Sequence, residues 1–417
     1  MICLAAVVGA LWWPVKALYN NWSEDEKLVQ NGEIEIDNIP DAKPDTALKR
    51  RLAEFILKPT RLDTNNIAIS VYDLTAKRPV LRWHDNWIMP PASCLKLLTA
   101  LTALKTLGME HQYTESMKIS GKVKGDSLVG DAILDADDDP MCESLDPLIK
   151  SLKERGIRRI TGRLILNLSR RDTLRAHPTA RSWDIPYNKT PILLKGAPRL
   201  KRDLTYQLRL SGIKVGEIVI NDTRLNYPKA ETIATLHTPL KDVIEPMLIH
   251  SSNIKADALF YHNNHYFDRY RDTFGQHELP WQYFVREELK YEMPVEFTVN
   301  DGSGLSPENR LDADFLMALL KYAWKDESIR AFFLDRALAT PAEPGRTGSL
   351  TSRMSKPQFR GRIYCKTGTL VTIGASSLSG YAKAQNNHWY AFVIINQDSP
   401  VAESRLYQDN VCAELVK

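Results

Sequence analysis

The sequence predicts an α+β fold: one antiparallel sheet built from both chain ends, flanked by helices and interrupted by an inserted α+β subdomain. Three observations predict it. Strand-like runs cluster near the start, at residues 66–75 and 79–83, and again near the end, at 362–365, 378–383 and 389–396. Helical apolar spacing fills most of the stretch from 239 to 334. Residues 108–236 instead carry several short strand-like runs and a single helix, which marks them as the insertion.

The elements follow in order. Residues 2–15 are apolar until Lys16 intervenes. A membrane span needs about 17–25 such residues, so residues 1–19 read as a signal- or anchor-like segment. The basic opening of a secretory signal is missing, because Met1 runs directly into Ile2. A buried N-terminal helix is the competing reading. Residues 20–46, with Ser23-Glu24-Asp25-Glu26, read as a polar linker. Together they predict an exported, periplasmic protein, with cleavage of the segment or tethering to the inner membrane as the two alternatives. Residues 47–57 read as a helix. The run 66–75 alternates in part, as a half-buried strand does, and 79–83 pairs with it across Ala76-Lys77-Arg78. Pro90-Pro91 breaks the pattern. A helix then covers about 93–107, with Leu95, Leu98, Leu101 and Leu104 on one face, until Gly108 stops it.

In the insertion, strands are expected at 127–134, 163–168, 205–210 and 217–221, and a helix at 145–155. Helices follow at 239–250, 254–261, 282–290, 313–324 and 328–334, and a last one at 401–416. The expected division is a catalytic domain of 47–107 plus 237–417 around the inserted 108–236.

Composition narrows the function classes. The net charge of +4 comes from 55 basic and 51 acidic residues, too balanced to argue for nucleic acid, and no basic run is interleaved with aromatics. Five cysteines without a CxxC pair indicate neither a zinc site nor a disulfide framework. No cofactor and no metal are expected. His262 and His265, with His250, have metal-like spacing but no acidic set to complete a site. The carboxylates at 135–139 read as a solvated acidic turn, with cation binding as the sharper alternative.

Three short patterns carry the chemistry: Ser93-Cys94-Leu95-Lys96, Ser251-Ser252-Asn253 and Lys366-Thr367-Gly368. Each alone is weak. Ser-x-x-Lys recurs at 211–214 and 252–255, and Arg346-Thr347-Gly348 nearly copies the third. Only Ser93 follows a proline break and opens an apolar helix. Residues i and i+3 share a helix face, so Lys96 is in reach of Ser93. A helix N-terminus favours developing negative charge. A lysine acts as a base only when neutral, which requires desolvation or a nearby cation, and Lys366 is the candidate cation. Ser251 is expected to relay a proton between the lysines and the leaving amine, and Asn253 to hold the substrate amide and Lys96. A plain helix N-cap is the alternative for both. Lys366 and Thr367 suit a substrate carboxylate, and Gly368 lets the backbone approach a ligand. The Thr369 and Ser93 backbone N–H groups are the expected oxyanion donors.

Residues 89–108 resemble the active-serine helix of penicillin-binding proteins, most closely the low-molecular-mass class C D-Ala-D-Ala carboxypeptidase/endopeptidase group. SSNIKADALF (251–260) is similar to that group's second motif and CKTGTL (365–370) to its third. NDGSGLS (300–306) and the Gly348-Ser349-Leu350 plus Arg353 pattern also match stretches typical of it. The resemblance covers the chain from about residue 47. It implies the penicillin-binding/β-lactamase-like transpeptidase fold, peptidoglycan stem peptides as substrate, an acyl-enzyme on Ser93, and covalent inhibition by β-lactams. With such a substrate, binding of the cationic part of a stem peptide joins cation binding as an alternative to the solvated turn for the 135–139 carboxylates. Two features depart from the group: the insertion is short, and Cys94 inside the first motif is unusual. Cys94 pairs suggestively with Cys365; a disulfide would need Cα atoms within about 7 Å, and two buried thiols are the alternative. The rivals are a β-lactamase or esterase on the same fold, for which no Glu-x-x-x-Asn loop is evident, and an inactive peptidoglycan-binding protein.

Overall fold

The computed structural model describes residues 45–417 apart from 57, 59–60, 181–189 and 269–277, so the 1–19 segment and nearly all of the linker lie outside the described residues. One five-stranded sheet is antiparallel throughout and runs in the order β2-β1-β10-β9-β8. Its first strands are β1 (Ile67–Asp73) and β2 (Arg78–Trp83); its last are β8 (Ile363–Leu370), β9 (Ala375–Lys383) and β10 (Trp389–Asn396). The chain ends meet where Ile69 faces Ile394 and Val71 faces Phe392. β1 alternates only in part because it is central and covered on both faces. Ile67, Ile69 and Val71 enter one core, with Leu48 and Leu52 of α1 (Thr46–Ile56), while Ala68 enters the other.

That other core surrounds α2 (Lys96–Thr106), in which every residue from Lys96 to Leu104 is buried. A helix buried all round lies at the centre of a domain, so its polar residues must be satisfied internally. Thr99 does so by donating to the Gly302 carbonyl at 2.6 Å.

A second five-stranded sheet, ordered β6-β5-β4-β3-β7, is formed by β3 (Gln112–Lys124), β4 (Ser127–Ala136), β5 (Arg159–Leu168), β6 (Lys214–Ile220) and β7 (Glu231–Pro239). β4, β5 and β6 are mutually parallel, which requires helical crossovers: α3 (Asp146–Glu154) and α4 (Ala197–Leu210). Residues 205–210 are therefore helix, not the expected strand. Six alternating residues hid a longer period, since Leu200, Leu204 and Leu208 recur every four residues and face the core. Sequence reading missed β3 and β7. Buried Glu115 interrupts the apolar alternation of β3, and most of β7 is half-exposed or exposed at the sheet edge.

After β7 the chain enters α5 (Leu240–Ile249) and α6 (Asn253–Asp268), then α7 (Ala313–Lys325), and it closes with α8 (Val401–Leu415). α6 outruns its expected end at 261 because its polar residues His262 and Asn263 are themselves buried and break the apolar stripe.

Candidate active site

The position of Ser93 begins with Pro91. Ala92 follows in the left-handed region (φ 47°), where a Cβ costs about 1–2 kcal/mol. The surroundings hold it there. Ser377 donates to the Pro91 carbonyl at 2.5 Å. Gly304, itself at φ 75°, lies so close that an added Cβ would stand 1.9 Å from the Ala92 oxygen. Residues Ala92–Leu95 form a 3₁₀ turn, and α2 starts only at Lys96. Ser93 thus precedes the α-helix expected to open on it. In a 3₁₀ turn side chains at i and i+3 eclipse, and Lys96 Nζ lies 2.8 Å from Ser93 Oγ.

Lys96 is fully buried and donates to three oxygens: Ser93 Oγ, Asn253 Oδ1 at 2.8 Å and the Ser303 carbonyl at 2.6 Å. Burial lowers its pKa well below that of a free lysine, and the nearby Lys366 cation lowers it further. Two carboxylates pull the other way. Asp301 is buried and spends its oxygens on the N–H groups of Ser303, Gly304 and Ser306. Asp257 accepts from Gly302 N at 3.2 Å; burial and then Asp301 push its carboxyl far up. Asp257 and the 301–306 loop were missed as supports, although 300–306 stood out by resemblance. Asp257 lies four residues after Asn253, hence on the same face of α6.

Ser251 takes a left-handed backbone (φ 56°) just before α6. Ser252, not Ser251, plays the cap, its hydroxyl accepting from Lys255 N at 3.4 Å. Among the described residues the Ser251 hydroxyl has no hydrogen-bond partner, and the residue is half-buried. Asn253, the first helical residue, reaches Lys96 instead of capping.

The third pattern lies within β8. Lys366 is fully buried, and burial draws its pKa down to about 8. Thr367 Oγ1 donates to Ser349 Oγ at 2.7 Å, which brings the Gly348-Ser349-Leu350 stretch to the site. Gly368 packs against the backbone of Ser93. A Cβ there would stand 2.1 Å from Ser377 Oγ, 2.8 Å from the Pro91 oxygen and 2.9 Å from Ser93 N. Gly368→Ala is therefore expected to displace Ser93 and lower kcat/KM by about 10²-fold or more, with thermal unfolding as the check that the fold survives.

The two cysteines beside the motifs do not pair. Cys94, Cys142, Cys365 and Cys412 are all free and buried. Cys365 points into the core beneath α8 with Cys412, whereas Cys94 lies in the α2 core and donates its S–H to the Lys366 carbonyl at 3.2 Å. Mass analysis after alkylation in denaturant, without reductant, should find all four described cysteines modified; a Cys94–Cys365 crosslink would refute this placement.

The carboxylates at 135–139 are not a solvated turn. Asp135 binds Lys118 at 2.6 Å and Arg224 at 2.9 Å, and Asp137 also meets Arg224. Asp138 is buried between His262 and Arg170, and Asp139 accepts from Thr238 at 2.6 Å. His262 is thereby committed to Asp138, and His250 is exposed at the end of α5. The side chain of His265 lies outside the described residues.

Comparison with known proteins agrees with this architecture. The D-Ala-D-Ala carboxypeptidase 3 (S13) family matches residues 48–192 and 194–414. A D-alanyl-D-alanine carboxypeptidase from Actinomadura sp. (strain R39) is 26% identical over 216 residues, 50% of this chain. The match spans only 38% of that relative's length. Penicillin-binding protein 4 from Haemophilus influenzae has a similar fold (TM-score 0.69, 18% identity, 84% of this chain and 96% of the other). Its complex with a β-lactam is also similar (TM-score 0.66, 18% identity, 88% and 99%). So is a predatory peptidoglycan endopeptidase from Bdellovibrio bacteriovorus (TM-score 0.57, 17% identity, 80% and 86%). Because the family match runs through nearly the whole described chain and includes all three patterns, the chain belongs to the D-Ala-D-Ala carboxypeptidase 3 (S13) family.

Proposed function

We propose that this protein is a serine-type D-Ala-D-Ala carboxypeptidase and/or D-alanyl endopeptidase acting on peptidoglycan stem peptides. One observation carries the reading above the others: a fully buried lysine amine 2.8 Å from a serine hydroxyl, beside a second buried lysine. Neutral Lys96 takes the Ser93 proton as Oγ attacks the D-alanyl carbonyl. The Ser93 and Thr369 backbone N–H groups receive the oxyanion. Ser251 passes the proton to the leaving amine, Asn253 orients Lys96 and the substrate amide, and Lys366 keeps the site positive. Thr367 and Gly368 bind and admit the substrate. Water then hydrolyses the ester on Ser93.

Family membership supports a cell-wall substrate and hence a place outside the cytoplasmic membrane. We assign the protein to the periplasm, delivered or tethered by residues 1–19, with 20–46 as the linker. Residues 47–107 and 237–417 form the catalytic unit and 108–236 its insertion. The β-lactam complex of the Haemophilus influenzae protein supports acylation of Ser93 here by the same class of compound.

The test is labelling with a fluorescent penicillin, peptide mapping, and product analysis on a pentapeptide and a cross-linked dimer. A stable adduct on Ser93 with release of D-Ala is expected. A folded protein that takes no label would overturn the mechanism, and fast penicillin turnover would turn the assignment toward a β-lactamase.

A further inference from the structure

The inserted subdomain ends in a cationic tip. β3 leaves the catalytic unit, turns at Gly125 and Asp126, and returns as β4; β5 and β6 start beside that turn, just after α3 and α4 end. The 13 residues of β3 put the tip about 40 Å from the point where the strand begins. The register draws a row across the sheet there: Lys124 faces Ser127, Ser127 lies beside Arg159, and Arg159 beside Lys214. Lys122, Arg158 and Arg209 flank the row, and all of these cations are exposed. Among the described residues none of them is ion-paired. The nearby carboxylates do not neutralise them. Glu154 pairs with Lys150 at 3.5 Å, Glu217 lies beside Arg163 in the next row, and Asp126 accepts from the Ser127 hydroxyl at 2.9 Å. The whole chain carries a net charge of only +4, so this one end concentrates the excess. Arg209 complements the negative end of the α4 dipole; the others have no such local reason. Two apolar side chains stand at the same end: Val123 is 41% exposed and Leu210 70%. A lone exposed apolar residue is ordinary. Two set among unpaired cations at one end of a sheet form a pattern.

We propose that this tip docks on an anionic lipid bilayer, its cations meeting the phosphate headgroups while Val123 and Leu210 enter the interface. Each cation near an anionic bilayer is worth about fivefold in partitioning. A soluble polyanion would reward the cations alone, whereas a bilayer interface also takes up the apolar side chains, and that difference decides for lipid. Docked in this way, the insertion acts as a spacer that holds the catalytic unit a strand's length from the membrane. The inference goes beyond the hydrolytic reading and is independent of it; labelling of Ser93 tests that reading separately.

The test is co-sedimentation of the full chain with two kinds of vesicle, pure phosphatidylcholine and a mixture with about one-third phosphatidylglycerol. Binding through the apolar residues 2–15 would favour neither kind, so the ratio of the two partition coefficients is the readout. The wild type should prefer the anionic vesicles by about 10²-fold, less at high salt. Replacing Lys124, Arg159 and Lys214 together by glutamine should remove most of that preference. The pair Val123→Ser and Leu210→Ser should weaken anionic binding about tenfold with every charge kept. All of these positions are exposed and remote from Ser93, so penicillin labelling and thermal unfolding should match the wild type and report an intact fold. A wild type without the anionic preference, or a preference that survives the glutamine variant, would overturn the assignment. Anionic binding indifferent to the serine pair, and matched by binding to soluble polyphosphate, would also overturn it, in favour of a polyanion.

Discussion

Replacing Ser93 by alanine is expected to lower D-Ala release by at least about 10⁴-fold, since loss of a covalent nucleophile leaves only binding and oxyanion stabilisation. The fold should survive. The hydroxyl touches Lys96, which keeps Asn253 Oδ1 and the Ser303 carbonyl as acceptors. The alanine also fits the 3₁₀ turn. Unfolding temperature should therefore move by no more than a few degrees, the shift expected for about 1 kcal/mol in a chain of this size. The Ser93→Ala protein should take no penicillin label, yet still bind stem peptide reversibly. Activity within tenfold of the wild type would mean that another group is the nucleophile.

Lys96→Ala is expected to cost about 10³–10⁴-fold in kcat, at the upper end of general-base effects. Here the loss includes both the base and the buried anchor for Asn253. The pH profile is the sharper readout. Only the neutral amine accepts the serine proton, so activity rises as pH passes the depressed pKa of Lys96. Burial and the Lys366 cation set that depression. With its pKa at about 8, Lys366 keeps its proton at neutral pH, where the cation is needed. Lys366→Gln removes the repulsion, so the pKa of Lys96 rises and the acid limb of the profile moves to higher pH. Movement toward lower pH would refute the electrostatic argument. The sign carries over to stability. Between about 8 and the ordinary 10.5, the unfolded chain binds a proton at Lys366 that the folded chain gives up. Stability should therefore climb with pH through that window and level off above it.

The main sheet was legible because its strands are short apolar runs placed at opposite chain ends, and an antiparallel pairing of ends needs no long-range pattern to recognise. The insertion was less so. Glu115 inside β3 and the half-polar edge strand β7 both break the two-residue period that identifies strands. Of the site, Ser93, Lys96, Asn253 and Lys366 stood out because each belongs to a short pattern; the structure puts Ser93 and Asn253 in contact with Lys96 and a second buried cation, Lys366, nearby. Asp301 and Asp257 escaped notice because they act on backbone N–H groups of a loop, and nothing in their spacing announces that. The 135–139 carboxylates misled for the converse reason. Their partners Lys118, Arg170, Arg224 and His262 lie between 17 and 124 residues away, so a cluster held by ion pairs looked solvated.

The pairing of β1 with β10 has a consequence for when this protein becomes reactive. Ile67 lies opposite Asn396, more than three hundred residues later, and β8 reaches β1 only through β9 and β10. Contacts of such separation form late and slowly. Until the last strands are threaded into place, the Gly368 backbone is not against Ser93, and no second lysine stands near Lys96. An emerging, truncated or half-translocated chain therefore carries an ordinary serine beside an ordinary lysine. Completing the chain is what assembles the site, so fragments that lack the last strands are expected to leave Ser93 unreactive.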